Sequence, residues 1–534
     1  MLKEGKILVG KNGDTEASIL LNRANRHGLI TGATGTGKTV TLKVLAESFS
    51  SAGVPVFMVD VKGDLAGTAY MGVQNENVDS RVASLKLDGF NYDRFPCVFL
   101  DTYGKKGQPV RTTLTEMGHR LLSKMLDLSE VQDSVLSIVF KIAKDENKPL
   151  NDLNDLQKML IYVANNKNNY AMQYGNLAPQ TLSTIQRNVV ELMDDIEDNF
   201  FGTPIFDIND FINTSLETGK GRISILDAQE LFNHPDSYVA MTLWLLNSLY
   251  ERLPEVGDLE KPKLVFFFDE AHLIFNDMPK SVIDHVIKVV KLIRSKGVGL
   301  YFISQSPSDI PEEVLAQLGN KVQHALRAYT PNEQKAVKAA ADGLRTNPAF
   351  DTKEAILNLG TGEALVSFID VNGEPTVVEK VTILPPQSRM GAITEEERQF
   401  VIQNSPIRIA EKTNEISADE IIAEETAQAN AVKAAEEQRI AEEKAAIEQA
   451  KVEAQQAKEE EKRMKEEQRL QEKLAKEEEK KLKEEQRTQE KAAKEAEKAK
   501  KNSIGYKLGK KVVNKTENKI IDKTLNKLLK GFFK

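Results

Sequence analysis

Cysteine is almost missing from this sequence: Cys97 is the only one in 534 residues. A single thiol excludes a disulfide framework and any Cys-based zinc site, and it suits a reducing cytosol. Histidine is scarce too. The chain has six, scattered along its length, so no metal-binding cluster is expected. No uncharged apolar run approaches the ~18 residues that span a bilayer. The first residues, Met1-Leu2-Lys3-Glu4-Gly5-Lys6, lack the apolar stretch of a secretion signal, so a cytoplasmic protein is expected. What is present is ample core material. Hydrophobic residues make up 40% of the chain and charged residues 28%, which excludes a collagen-like or fully disordered chain.

Locally the absences are sharper. Residues 411–502 contain no Gly, Pro, Phe, Tyr or Trp, and they carry 21 basic and 26 acidic side chains. Residues 503–534 set nine lysines against Glu517 and Asp522. The formal net charge of −8 is therefore distributed as −10 on residues 1–410, −5 on 411–502 and +7 on 503–534. An acidic total argues against a simple basic nucleic-acid coat protein, yet it leaves local basic surfaces open.

Residues 1–410 alternate short apolar runs with helical periods. The runs lie at His27–Thr31, Val54–Asp60, Phe95–Asp101, Arg222–Asp227, Lys263–Asp269, Gly299–Gln305, Lys321–Ala328 and Glu363–Asp370. Several are apolar at successive positions, as in strands buried on both faces of a mainly parallel sheet. Helical periods at Lys38–Ser51, Ser237–Arg252 and Lys280–Lys296 complete an α/β pattern. Residues 115–215 break the alternation with consecutive amphipathic helices, around Met117–Leu126, Val131–Ala143, Leu153–Asn165 and Ala178–Glu197. They read as an all-α insertion, or else as a longer set of sheet-covering helices.

The strongest local signal is Gly32-Ala33-Thr34-Gly35-Thr36-Gly37-Lys38-Thr39, a full match to G-x-x-x-x-G-K-[ST], followed by Val40. It follows the apolar Gly28-Leu29-Ile30 and opens a helix, the context this phosphate loop needs. Glycines let the backbone wrap phosphate oxygens, and successive N–H groups at a helix start face the anion. Lys38 is expected at the β- and γ-phosphates and the Thr39 hydroxyl on Mg²⁺.

The partner acids follow a second buried run, Leu264-Val265-Phe266-Phe267-Phe268-Asp269-Glu270. Asp269 is placed for the metal, and Glu270 for polarising the attacking water. GTP-binding switch proteins usually lack the second acid, so ATP is the expected nucleotide. Gln305 ends the next run and reads as a sensor of the γ-phosphate or as a solvated strand end. Arg294 ends the intervening helix. It reads either as a finger reaching a neighbouring subunit's γ-phosphate or as a cation satisfying the helix dipole. Arg327, before Thr330-Pro331, is a possible second finger or sensor. Asp60 or Asp64, in Asp60-Val61-Lys62-Gly63-Asp64-Leu65, is expected at the edge of the site or in a tight turn at Gly63.

Together these residues resemble the HerA/FtsK class of P-loop ATPases, and most of all the bacterial HerA-like family labelled DUF853. The resemblance is carried by Asn25-Arg26-His27-Gly28-Leu29-Ile30 running into the P-loop, by Gly53-Val54-Pro55-Val56-Phe57 with Asp60–Leu65, and by Pro109-Val110-Arg111-Thr112-Thr113. Asp269-Glu270-Ala271-His272, Arg294-Ser295-Lys296-Gly297 and Pro385-Pro386-Gln387-Ser388-Arg389-Met390-Gly391 extend it to about residue 391. It implies a RecA-like core using ATP and Mg²⁺, assembled as a homo-oligomer with a hexameric ring favoured. Arg294 matches the finger-like position that completes a neighbour's site. Characterised HerA relatives translocate on double-stranded DNA with a nuclease partner. About 27 residues precede the first core strand, so the N-terminal β-barrel of HerA helicases is not expected. Asp269–His272 also spells a DEAH box, but the single-core layout does not fit a two-core helicase, and His272 reads as a packing residue.

The charged stretch has high helix propensity. Pairs such as Glu461→Lys465 and Glu479→Lys483 have the favourable orientation. Met464, Leu470, Leu474 and Leu482 keep no steady heptad, so a solvated helix or weak coiled coil is expected. In 504–534, apolar residues recur at helical spacing among lysines, a pattern that suits an anionic membrane, DNA phosphate, a protein partner or the chain's own core. The expected division is an ATPase core in two parts (1–114 and 216–395), the insertion (115–215), a charged helical linker (396–502) and a basic amphipathic helix (503–534). The expected function is an ATP-hydrolysing ring motor translocating DNA. The alternative is an ATP-switched scaffold or membrane-associated assembly factor.

Overall fold

The computed structural model describes residues 1–195, 200–202, 207–257, 259–276, 278, 280–406 and 416–500. The basic segment 503–534 lies outside them. Its strands are β1 (Leu2–Lys3), β2 (Lys6–Asn12), β3 (Thr15–Leu20), β4 (Gly28–Thr31), β5 (Val56–Asp60), β6 (Cys97–Asp101), β7 (Gln108–Pro109), β8 (Ile223–Asp227), β9 (Leu264–Phe268), β10 (Val298–Ser304), β11 (Asn320–Gln323), β12 (Glu363–Ser367) and β13 (Glu379–Ile383). They form one sheet in the order β1-β2-β13-β12-β11-β4-β10-β9-β5-β8-β6-β7, with β3 beside β2. From β11 to β7 every pairing is parallel. From β11 to β1 every pairing is antiparallel.

The parallel strands are buried on both faces, which explains their unbroken apolar runs. Phe57, Leu100, Phe266 and Phe302 face one core cluster, and their neighbours Met58, Phe99, Phe267 and Tyr301 face another. Phe57 stacks on Phe266 with ring centroids 4.3 Å apart. The second cluster is closed by the helix Lys38–Ser51 through Leu42, Leu45 and Phe49.

The first cluster runs on into helices between β7 and β8, chiefly Glu130–Asp145, Leu153–Asn165 and Pro179–Asp195. Leu136, Val139, Leu156 and Met159 are fully buried there. Each helix presents an apolar stripe of period 3.6 to the shared interior. Truncating one such leucine to alanine would cost about 2–5 kcal/mol.

Two features differ from the sequence expectation. The first twenty residues add three antiparallel strands to the sheet edge, a position the irregular pattern of Lys6–Asn12 did not announce. The run at Lys321–Ala328 is a strand only as far as Gln323 and then turns across the phosphate loop.

Met1–Ala429 forms one compact unit, and the described part of the second begins at Asn430 and ends at Lys500. Within the first, the helix Glu395–Gln403 buries Arg398, whose guanidinium lies 3.6 Å from Asp227. The 83-residue helix Ala418–Lys500 starts against the helical bundle. Ala418 N–H donates to the Pro149 carbonyl at 2.9 Å, and buried Lys148 pairs with Glu425 at 2.9 Å. From Asn430 to Ala492 every side chain of this helix is exposed.

Candidate nucleotide site

Register brings the sequence-predicted residues to one edge of the sheet. Ser304 of β10 stands opposite Thr31 of β4, and Phe302 stands opposite Phe268 of β9. The loop after β4, the acids after β9 and Gln305 after β10 therefore begin within two residues of one level, at the carboxyl ends of parallel strands. In open α/β sheets this is where ligands bind.

The loop has the left-handed backbone that its glycines allow. Gly32 has φ 155° and Gly37 φ 118°. A Cβ on Gly32 would lie 2.5 Å from His324 Cβ, so only glycine fits. Thr34 and Gly35 are exposed at the tip, and Ala33, Thr39 and Val40 are half-buried. Thr36 folds its hydroxyl back onto the Ala33 carbonyl at 2.7 Å. Lys38 is buried and donates to the carbonyls of Gly32 at 2.7 Å and Ala33 at 3.2 Å. Burial lowers its pKa, and Glu270 and Asp269 counter that in part.

Asp269 and Glu270 are both buried. Burial pushes the Asp269 carboxyl up to about 6, against the pull of Lys62. Its Oδ1 accepts the Glu270 N–H at 2.9 Å. Glu270 takes φ 49°, a conformation uncommon outside glycine and asparagine. Burial alone would raise its pKa, but Lys62, with help from His272 and Lys38, holds it below the usual carboxylate range. Lys62 Nζ lies 2.7 Å from Glu270 Oε1. Glu270 Oε2 has no hydrogen-bond partner, with His272 Nδ1 at 3.4 Å.

Other predicted residues fall in three places. Gln305 is exposed at the site edge, one residue past β10. Arg327 is exposed two residues beyond Ala325, whose carbonyl accepts the Ala33 N–H at 2.8 Å. Arg294 stands at the opposite edge, just before β10. Seven strand residues at ~3.3 Å each put it more than ~20 Å from its own P-loop. There it shares a 280 Å³ cavity with Arg26, Lys291 and Lys321. Asp60 takes the turn role. It accepts the N–H groups of Gly63 at 2.7 Å and Leu65 at 3.0 Å, and burial lifts its pKa to about 7. Asp64 is half-buried in the same loop.

Sequence reasoning passed over two residues here. Lys62 sits in a loop singled out for its acids, yet its amine is the group that reaches Glu270. His324 is fully buried behind the P-loop. Its Nδ1 lies 3.0 Å from the Glu363 carbonyl, which can only accept, so Nδ1 carries the proton. Nε2 then accepts from the Thr41 hydroxyl at 2.8 Å. The P-loop is further tied by the Gly362 N–H, which donates to the Thr36 carbonyl at 2.9 Å.

Thr39 and Asp269 offer hard oxygen ligands suited to Mg²⁺ with phosphate oxygens. Among the described residues no cluster of His, Cys, Asp and Glu forms a metal centre of its own, and no helix is long and apolar enough to cross a membrane.

Known proteins show the same relationship. The DNA double-strand break repair helicase HerA of Sulfurisphaera tokodaii is 24% identical over 381 residues, covering 68% of this chain and 67% of its own length. A probable helicase of Methanocaldococcus jannaschii is 24% identical over 364 residues, 66% of this chain and 62% of its own. The chain thus spans about two thirds of the length of these relatives. Among solved structures, the bacterial conjugative coupling protein TrwB aligns with a TM-score of 0.48 at 14% identity, covering 73% of this chain and 91% of that one. The profile described as "Helicase HerA-like C-terminal" matches residues 6–524. The chain belongs to the HerA-like C-terminal helicase family.

Proposed function

We propose that this protein is an oligomeric ATP hydrolase whose turnover drives movement along DNA. The observation that carries the reading is the convergence of the P-loop with Asp269 and Glu270 where β4, β9 and β10 end, with Lys38 near enough to feel both carboxylates. Lys38 binds the β- and γ-phosphates, with the P-loop N–H groups around them. Thr39 and Asp269 hold Mg²⁺, which supplies charge neutralisation at the phosphate oxygens. Glu270 takes the proton of the attacking water. Gln305, one residue past β10, and Arg327, two residues past the Ala325 carbonyl that holds the P-loop, are assigned as sensors of the γ-phosphate.

The same geometry supports assembly into an oligomer. Arg294 is too far from its own P-loop to act there, so it serves a neighbouring copy. The 280 Å³ cavity beside it is lined by four Lys and Arg residues and no carboxylate among the described residues, a face matched to an anionic site. A ring, with a hexamer favoured, satisfies every such contact head to tail. DNA is the favoured polymer because the HerA relatives are described as DNA repair helicases.

The test is ATP hydrolysis with duplex DNA, single-stranded DNA, RNA and no polymer, with the mass measured in ATP. Duplex DNA that neither binds nor stimulates would remove the DNA part. Hydrolysis that survives Lys38→Ala and Glu270→Gln would remove the site assignment.

A further inference from the structure

The loop that brings Lys62 to Glu270 is held from two sides. On one side Asp60 accepts the Gly63 and Leu65 N–H groups. On the other stands Gln229, two residues past β8, whose last residue Asp227 is level with Asp60 at the end of β5. The Gln229 amide donates from Nε2 to the Lys62 carbonyl at 2.8 Å. The loop lies close on this amide, and a Cβ on Gly63 would run into it. Lysine carries its ammonium on a flexible four-carbon stem, so the backbone beneath it must be fixed if the charge is to stay on one carboxylate oxygen.

Gln229 is itself held from behind. Lys106 Nζ donates to its Oε1, and its backbone N–H donates to Asp227 Oδ1 at 3.2 Å. An ammonium can only donate and a carbonyl can only accept, so the amide has one orientation, with its nitrogen toward Lys62. Lys106 Nζ also lies 3.7 Å from Asp227 Oδ1. The other oxygen of this buried carboxylate lies 3.6 Å from Arg398. Arg398 belongs to the helix Glu395–Gln403, sits 5.1 Å over the Phe99 ring and donates to the Lys106 carbonyl at 3.1 Å. Two cations on one buried carboxylate offset the cost of burying it. Contacts therefore run without a break from Arg398 through Asp227, Lys106 and Gln229 to Lys62, and from Lys62 to Glu270.

We propose that Gln229 is a positioning residue for hydrolysis: by holding the Lys62 carbonyl it keeps the Lys62 ammonium on Glu270, and the helix Glu395–Gln403 holds Gln229 in turn through Arg398 and Lys106. The inference rests on the reading of Glu270 as the base. It adds a residue that acts on the reaction only through Lys62, and it ties a helix from the far end of the core sequence to the rate.

The test is steady-state ATP hydrolysis by the full chain, with thermal unfolding to confirm the fold, for Gln229→Met, Lys62→Met and the double variant. Methionine keeps the length of the side chain and removes both amide bonds. Gln229→Met is expected to lower kcat about fivefold, as for loss of one hydrogen bond, with KM for ATP little changed. In the Lys62→Met background it should have no further effect, because nothing is left to position. Lys106→Met, at a half-buried lysine, should give a smaller loss that also vanishes in that background. A parental kcat in folded Gln229→Met would overturn the proposal. So would a loss carried by KM alone, or losses that multiply in the double variant, since Gln229 would then act independently of Lys62. If Gln229→Met does not fold, the same cycle run with Lys106→Met decides by the same outcomes. Glu270→Gln separates the underlying reading: hydrolysis at the parental rate in that variant removes the base, while the coupling of Gln229 to Lys62 is read from the cycle alone.

Discussion

The two edges of the parallel sheet are built alike and charged differently. Each is pinned by a buried neutral histidine. At the phosphate edge His324 joins the helix Lys38–Ser51, through Thr41, to the Glu363 carbonyl. At the far edge His27 accepts the Leu300 N–H at 3.0 Å and donates to the Val290 carbonyl at 3.0 Å. The phosphate edge mixes signs: Lys38 and Lys62 face Asp269 and Glu270. The cavity at the far edge presents Arg26, Lys291, Arg294 and Lys321 with no carboxylate among the described residues. A site that must bind an anion, hold a metal and move a proton needs both signs. A surface that only stabilises a neighbour's transition-state charge needs one. On the proposed reading, this difference divides one reaction between two copies.

The largest test of that division is at the phosphate edge. Lys38→Ala and Glu270→Gln are each expected to lower the ATP hydrolysis rate about 1,000-fold, roughly 4 kcal/mol of barrier. Glu270→Gln should leave ATP binding intact, because its task is the proton and not the phosphate.

Acid comes next and strikes both edges together. Burial holds His27 and His324 down to about 4, against about 6.5 for an exposed imidazole. Between those values the unfolded chain binds more protons, so stability is full above pH 6.5 and is lost as pH falls toward 4. Each histidine contributes on the order of 3 kcal/mol to that loss. Thermal unfolding followed across this range should show the drop, and His324→Asn and His27→Asn should each flatten it. The edges then part: only the His324 variant should also lose ATP affinity, since only that ring backs the P-loop.

Arg294→Ala should lower hydrolysis about 1,000-fold with ATP binding nearly unchanged, the low end of the range known for arginine fingers. Mixing decides whether the edges belong to different copies. Arg294→Ala and Glu270→Gln subunits should each be nearly inactive alone, and co-assembled they should regain activity by pairing an intact far edge with an intact phosphate edge. No recovery in verified mixed oligomers would place the arginine outside the reaction.

The edges also differed in how far they could be read from sequence. The P-loop and the Asp269–Glu270 pair were legible because their chemistry needs fixed spacing at strand ends. Arg294 was legible as a residue at a helix end, but its distance from its own P-loop emerges only from strand register. His324 carried no signal, because nothing in a lone histidine after an apolar run tells which backbone it will pin. Lys43 and Glu47 look like solvated helix charges, and only the folded chain shows them buried and bonded to the backbone of residues 387–389, over 300 positions away. The outer antiparallel strands were hidden for a related reason. The run Lys6–Asn12 keeps four consecutive buried residues, so it lacks the clean alternation of an edge strand.

Lys62 makes the finest test of the contrast, since it asks why the mixed edge has a second lysine. Its ammonium bonds one oxygen of Glu270 and leaves the other unbonded, and it is 45% exposed, so solvent screens part of the pair. Lys62→Met removes the positive charge that offsets burial of the carboxylate. The Glu270 pKa then rises, and less of the base is ionised at neutral pH. The expected result is a fall of about tenfold in kcat with KM for ATP little changed. The acidic limb of the pH–rate profile should move to higher pH, and Lys62→Arg should restore most of the rate. A plain loss of folding would move neither the limb nor the ratio of kcat to KM in this way. A rise in kcat would reverse the assignment: Lys62 would then restrain Glu270, and the mixed edge would need its second lysine to keep hydrolysis slow until a neighbour's arginine arrives.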